Sequence, residues 1–267
     1  MNRVGILGCG GRMGRMLLKE TLSHADATLA GGSARPGSDI VGQDLGLLAG
    51  LNNAGLAATD DANALFAASD AVIDFTRAEL LAHHAELAAR HSTALIVGTT
   101  GFDAAARALL DKTAEKIPVV QAANMSVGVT LLAQLVKQVA AKLDDATFDI
   151  EIVEMHHRHK IDAPSGTALA LAQAAAEGRE VSLDEVVRKS RDGQIGARPA
   201  GEIGISTLRG GDVVGDHTVI FASEGERIEL THKASSRQIF ARGAVRAALW
   251  AAGRKPGLYS MLDVLGL

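Results

Sequence analysis

Val4-Gly5-Ile6-Leu7-Gly8-Cys9-Gly10-Gly11-Arg12-Met13-Gly14 decides the fold of this chain. Val4 to Leu7 is a short apolar run, the pattern of a buried strand. Behind the glycine turn a helical pattern begins, with Met16, Leu17 and Leu18 inward and Lys19 and Glu20 outward. Strand, glycine turn and helix in that order form the context of a dinucleotide fingerprint. Glycines permit the tight turn and let backbone N–H groups approach a pyrophosphate, while the helix N-terminus adds a favourable dipole. Gly8, Cys9, Gly10, Gly11, Arg12 and Met13 are therefore candidate cofactor residues. Gly8, Gly11 and Gly14 recur every third residue, a variant spacing that a plain strand-to-helix turn also permits.

A second strand is expected at Ala27 to Gly31. A site built for NAD places Asp or Glu at its end, to accept from the ribose hydroxyls. Here Gly32-Ser33-Ala34-Arg35 follows. An arginine with no acid accommodates a 2′-phosphate, so the expected cofactor is NADPH in preference to NADH.

Further strands are predicted at Ala71–Phe75, Ala94–Val97 and Val119–Val120, each followed by a turn and a helical pattern. That alternation predicts a Rossmann-like, doubly wound parallel sheet of the α/β class. Ligands in such sheets bind beyond the carboxyl ends of the strands. Arg77, Gly98, Thr99, Thr100, Ala122, Ala123, Asn124 and Met125 lie at those ends and join the candidate cofactor set. Gly37 to Gly55 is expected to be loop with short helical pieces.

Val127 to Leu143 is a predicted helix leading into a second, α+β domain. There helices are expected from Thr167 to Glu177 and from Leu183 to Lys189, with strands at Ile203–Leu208, Thr218–Ala222 and Arg227–Thr231. Consecutive strands with few helices predict an open mixed sheet, covered on one face and suited to oligomerisation. A last helix, Ile239 to Ala252, returns to the first domain. The expected division is 1–126 with 236–267 for the dinucleotide, and 127–235 for substrate binding and oligomerisation.

Composition narrows the functions available. The 47% hydrophobic and 22% charged residues belong to a globular protein with a full core. A net charge of −4 argues against a nucleic-acid partner. No stretch has the roughly 18 apolar residues that a membrane span needs. The one cysteine, Cys9, excludes an intrachain disulfide and suits a reducing compartment, so a cytoplasmic location is expected.

Glu154 to Thr167 reads EMHHRHKIDAPSGT. His156, His157, Arg158, His159 and Lys160 crowd the end of an alternating strand, and Ser165-Gly166-Thr167 opens a helix. Helix N-termini hold unpaired N–H groups that accept a carboxylate. Histidine and lysine supply protons, the expected complement of hydride addition to an unsaturated acceptor. His156 and Lys160 are the candidate proton donors, and His157, Gly166 and Thr167 face the substrate. A rival reading places His157 and His159 on one strand face with Glu154 or Asp162 as zinc ligands of a hydrolase. Neighbouring cations oppose a divalent ion there, so no metal is expected. A nucleotide-sensing binding protein of the same fold is the non-enzyme alternative.

Across the whole chain these motifs resemble the 4-hydroxy-tetrahydrodipicolinate (dihydrodipicolinate) reductase family of the diaminopimelate and lysine pathway. GCGGRMG at Gly8–Gly14 is similar to its cofactor loop. DFT at Asp74–Thr76, GTTG at Gly98–Gly101 and AANMSVG at Ala122–Gly128 resemble its nicotinamide-side loops. EMHHRHKIDAPSGTA at Glu154–Ala168 resembles its signature, and RGGDVVGDH at Arg209–His217 and HKASSR at His232–Arg237 also fit. The resemblance implies His156 as the catalytic histidine, Lys160 as proton donor, and His157, Gly166 and Thr167 on the substrate carboxylates. It places Arg237 with the cofactor residues. It also implies reduction of a small cyclic dicarboxylate imine to tetrahydrodipicolinate with NADH or NADPH, by a homotetramer built through the second domain's sheet. Many members carry an acid just before the arginine found here as Arg35; this chain has Ala34.

Overall fold

The computed structural model describes all residues, 1–267. In chain order the first elements are β1 (Asn2–Leu7), α1 (Arg12–Ser23), β2 (Ala27–Ser33), α2 (Leu45–Leu48), α3 (Ala62–Ala68) and β3 (Ala71–Asp74). Then come α4 (Leu81–His91), β4 (Ala94–Val97), α5 (Ala104–Ala114), β5 (Pro118–Gln121) and α6 (Val127–Ala140). β6 (Asp149–His156), α7 (Gly166–Gly178), α8 (Leu183–Val186), β7 (Val187–Arg188), β8 (Ile203–Arg209), β9 (Gly215–Ser223) and β10 (Glu226–Ala234) follow. α9 (Gln238–Ala251), β11 (Gly257–Tyr259) and α10 (Met261–Leu265) close the chain. Two compact units result, residues 1–127 with 238–267, and residues 128–237.

The first unit holds a six-stranded parallel sheet in the order β11-β5-β4-β3-β1-β2. Apolar runs make its central strands because both faces are covered. Ile6, Ile73, Ile96 and Val120 face a core shared with α1 and α9, while Val72, Leu95, Val97 and Val119 face α3, α4 and α5. Each fully buried Ile or Leu contributes about 1.5–3 kcal/mol. The chain runs from β1 out to β2 and returns on the other side of β1 as β3. That reversal leaves a crevice at the carboxyl ends of β1 and β3, where such sheets bind ligands. The predicted α/β architecture is present, and β2 runs two residues beyond its expected end, to Ser33.

Several helix starts carry their own caps. Asp61, Asp103 and Ser165 accept from the first-turn amides of α3, α5 and α7, and Ser260 with Asp263 forms a capping box for α10. In the stretch expected to be glycine-rich loop, Asp44 accepts four amides, from Gly46, Leu47, Ala54 and Leu56.

The second unit holds a five-stranded mixed sheet in the order β10-β9-β6-β8-β7. β6 alternates half-buried and buried residues along its whole length. Its buried side packs Ile150 and Ile152 with Ile203, Ile205, Val219 and Phe221 against α6 and α7. The helix expected over Leu183–Lys189 ends at Val186, because Val187 and Arg188 pair with Ile203 and Gly204 as an edge strand. No helix is long and apolar enough to cross a membrane.

Candidate active site

The nucleotide end is built by the turn after β1. Gly8 adopts φ +65°, which favours glycine, and the carbonyl of Gly8 accepts from Gly11 N at 3.0 Å. A Cβ on Gly14 would stand 2.2 Å from the Gly8 carbonyl oxygen, so glycine alone lets α1 approach the turn. Gly11 is the N-cap of α1 and brings no side chain to its first amides. Uncapped amides on a glycine cradle fit a pyrophosphate.

A cleft of about 1000 Å³ opens there, lined by Gly8, Gly10, Gly11, Arg35 and Arg77 among others. Arg77 also borders a second hollow with Gly98, Thr99 and Thr100. Ala122, Ala123 and Asn124 follow β5 at the same edge of the sheet. Arg12 is exposed and Met13 half-buried at the start of α1, and neither lines the cleft.

Cys9 and Met125 of the expected cofactor set lie at these turns with their side chains turned inward. They are buried in the first unit's core, at 0% and 1% exposure, because their side chains point into the packing between sheet and helices. Cys9 donates its N–H to Ser33 O at 2.9 Å, and burial pushes its thiol up to about 11. Both residues shape the edge from behind.

Sequence reading missed other residues at this end. Arg15 lines the cleft one helical turn beyond Gly11, with Nε donating to Gly10 O at 3.1 Å. Asp74, fully buried, accepts from Thr76 N at 2.8 Å and Thr76 Oγ1 at 2.6 Å, and pairs with His84 Nδ1 at 2.7 Å. This couple anchors the turn that presents Thr76 and Arg77. The helical spacing of Arg15 was the available signal for the first; the DFT match marked the place of Asp74, but nothing local announced its partner His84.

The second unit gathers a polar cluster of its own. The covered face of β6, apolar at Ile150 and Ile152, turns polar at Glu154 and His156. Glu154 is fully buried and His156 is 8% exposed. Glu154 Oε2 takes His156 Nδ1 at 2.6 Å and Arg209 Nη1 at 2.8 Å. Its Oε1 takes Arg209 Nη2 at 2.9 Å, Ser165 N at 3.0 Å and Thr207 Oγ1 at 3.3 Å. Burial opposes its ionisation, but Arg209, His156 and the Ser165 amide hold its carboxyl below the usual range.

His217 lies across from Glu154 in the β6–β9 ladder, with Nε2 3.0 Å from Ser165 Oγ. Burial, with His156 alongside, pushes it down to about 4. Lys160 Nζ donates to Asp162 Oδ1 at 2.8 Å, which holds that carboxyl low. Gly166 and Thr167 open α7. Ser165 does not present its amide to a ligand, since Glu154 takes it.

One further expectation fails here. β6 ends at His156, so His157 and His159 stand in a turn, not on one strand face. The zinc set drawn from strand alternation loses its geometry, and Glu154 is already bound by Arg209. Arg237, expected among the cofactor residues, lies in the second unit with Nη2 3.2 Å from His157 Nε2.

Residues 2–125 match the N-terminal domain of dihydrodipicolinate reductase, and residues 128–265 its C-terminal domain. The chain belongs to the dihydrodipicolinate reductase family. A 4-hydroxy-tetrahydrodipicolinate reductase of Afipia carboxidovorans is 55% identical over 99% of this chain and 97% of its own. Its counterpart in Beijerinckia indica is 53% identical over 98% of this chain and 96% of its own. Among solved structures, a dipicolinate-bound dihydrodipicolinate reductase from Paenisporosarcina sp. TG-14 superposes with a TM-score of 0.77 at 26% identity, covering 98% of each chain. The chain is thus an oxidoreductase that uses NAD(P)H, with a nucleotide-binding N-terminal unit, and the non-enzyme alternative falls.

Proposed function

We propose that the chain reduces 4-hydroxy-tetrahydrodipicolinate, the compound its relatives are named for, to tetrahydrodipicolinate in diaminopimelate and lysine biosynthesis. The observation that carries this reading is the cationic, proton-bearing end of β6 beside the α7 N-terminus, in a chain with an uncapped glycine turn for the nucleotide. A bound nicotinamide would supply the hydride. Negative charge then develops on the ring, and Lys160 delivers the proton that neutralises it. Asp162 holds Lys160 until substrate displaces the contact.

His156 and His157 orient the dicarboxylate. His157 accepts from Arg237 at Nε2, so its proton sits on Nδ1, a buried nitrogen with no partner inside the chain and suited to a carboxylate oxygen. Gly166 and Thr167 offer the helix terminus to a second carboxylate.

NADPH is the preferred cofactor in this proposal. Arg35 lines the nucleotide cleft after β2, and Ala34 stands where an acid would bind ribose hydroxyls. Gly8, Cys9, Gly10, Gly11, Arg12, Met13, Arg77, Gly98, Thr99, Thr100, Ala122, Ala123, Asn124 and Met125 complete the cofactor set.

The working assembly is a homotetramer formed through the second unit's open sheet face. Register puts Val153, Met155, Ser206, Leu208 and Ile220 on that face, and Leu208 is 48% exposed. The enzyme acts in the cytoplasm on a small molecule, with no membrane or nucleic-acid partner. Consumption of NADPH and NADH with the cyclic imine as sole acceptor tests the function and the preference together. Turnover with NADPH several-fold more efficient is expected. A folded protein that consumes neither overturns the reading.

A further inference from the structure

We propose that Glu154 is a positioning residue for His156, fixing the tautomer and direction of the imidazole and tying it to the start of α7. The inference rests on the reading of His156 as a substrate-facing group.

The geometry is specific. Arg209 meets both Glu154 oxygens, at 2.8 and 2.9 Å, and reaches back to the carbonyl of Asp162. Such forked pairing keeps a buried carboxylate charged and immobile. An ionised carboxylate only accepts, so His156 Nδ1, 2.6 Å from it, carries a proton. In the neutral ring Nε2 is then the acceptor; in the charged ring it is a second donor.

Nε2 faces Gly215. A Cβ at that position would lie 2.9 Å from it, so the glycine leaves the space over the reactive nitrogen unfilled. His217 packs edge-on against His156, with ring centroids 5.1 Å apart at 75°, and blocks rotation of the ring.

The other Glu154 oxygen takes the Ser165 amide at 3.0 Å, directly before Gly166. One carboxylate therefore sets both the orientation of His156 and the place of the helix terminus proposed for the substrate. Removing its charge disturbs both groups at once.

The test combines histidine-selective ¹⁵N NMR of the full-length enzyme with steady-state kinetics of Glu154→Gln. The His156 signal is assigned from its loss in His156→Gln. In the native enzyme Nδ1 is expected to carry a proton, so that the neutral ring is the Nδ1–H tautomer. Glu154→Gln should give a mixture of tautomers and lower kcat by roughly 10–10², with the KM for NADPH unchanged. Arg209→Lys keeps the carboxylate and should retain the native tautomer.

A native enzyme with His156 as the Nε2–H tautomer overturns the proposal, and this needs no variant to fold. Glu154→Gln with native tautomer and native kcat also overturns it. A normal kcat in His156→Gln, with the tautomer still shifted by Glu154→Gln, would instead overturn the substrate-facing role of His156.

Discussion

Arg237 Nη2 stands 3.2 Å from His157 Nε2. A guanidinium only donates, so the ring accepts through Nε2 and is neutral. Burial, with Arg237 next in effect, holds His157 below an ordinary histidine, which agrees. The expected outcome of Arg237→Ala is a rise of about tenfold or more in the KM for the imine, the size of a lost charged hydrogen bond. The dissociation constant of NADPH should stay put. Titration of NADPH by fluorescence beside imine kinetics checks this; weaker NADPH binding with normal imine KM would return Arg237 to the cofactor set.

Arg35 offers the complementary case. It is exposed on the nucleotide cleft with no acid before it. Replacing it with Ala should lower kcat/KM for NADPH by about 10–10², the loss of one or two charge-assisted contacts, and leave NADH nearly untouched. Equal losses with both cofactors would contradict the 2′-phosphate role.

Gly14 is a packing requirement. A methyl group 2.2 Å from the Gly8 carbonyl oxygen forces α1 away from the turn. Gly14→Ala should therefore cost about 1–3 kcal/mol of stability, the usual range for overpacking, and weaken NADPH more than it affects imine KM. Chemical denaturation and NADPH titration report the two effects.

His217 makes stability depend on pH. Its folded value is about 4 against 6.5 for a free ring, so between those limits the unfolded chain binds a proton that the folded chain refuses. Stability contributed by the neutral ring is full above pH 6.5 and falls as pH drops toward 4. From pH 7.5 to pH 4.5 the loss assigned to this group is on the order of 2–3 kcal/mol. His217→Gln should lose that much less than the native enzyme over the same interval in urea denaturation. Equal losses would mean that the ring is already protonated in the fold.

The sequence showed what local patterns encode. Apolar runs at Val4–Leu7, Ala71–Ile73 and Ala94–Val97, each before a turn, were enough for the parallel sheet. The crowding of His156 to Lys160 was enough to mark the titratable end of β6. Long-range partners were out of reach. Arg209 meets Glu154 from another strand, and His84 reaches Asp74 across a turn and a helix. Strand alternation misplaced His157 and His159 because the strand stops one residue earlier. Edge strand β7 escaped because Val187 and Arg188 pair with residues far along the chain. The Asp44 cage looked like loop because its four amides are spread over a dozen residues.

The central claim is that Lys160 protonates the ring that receives the hydride. The most direct measurement is kcat for NADPH oxidation with the cyclic imine, native enzyme against Lys160→Ala, at saturating concentrations of both reactants. A decrease of about 10²–10⁴ is predicted, the usual contribution of a general acid, with NADPH binding intact. A Lys160→Ala enzyme that folds, binds NADPH and turns over at the native rate would contradict the account.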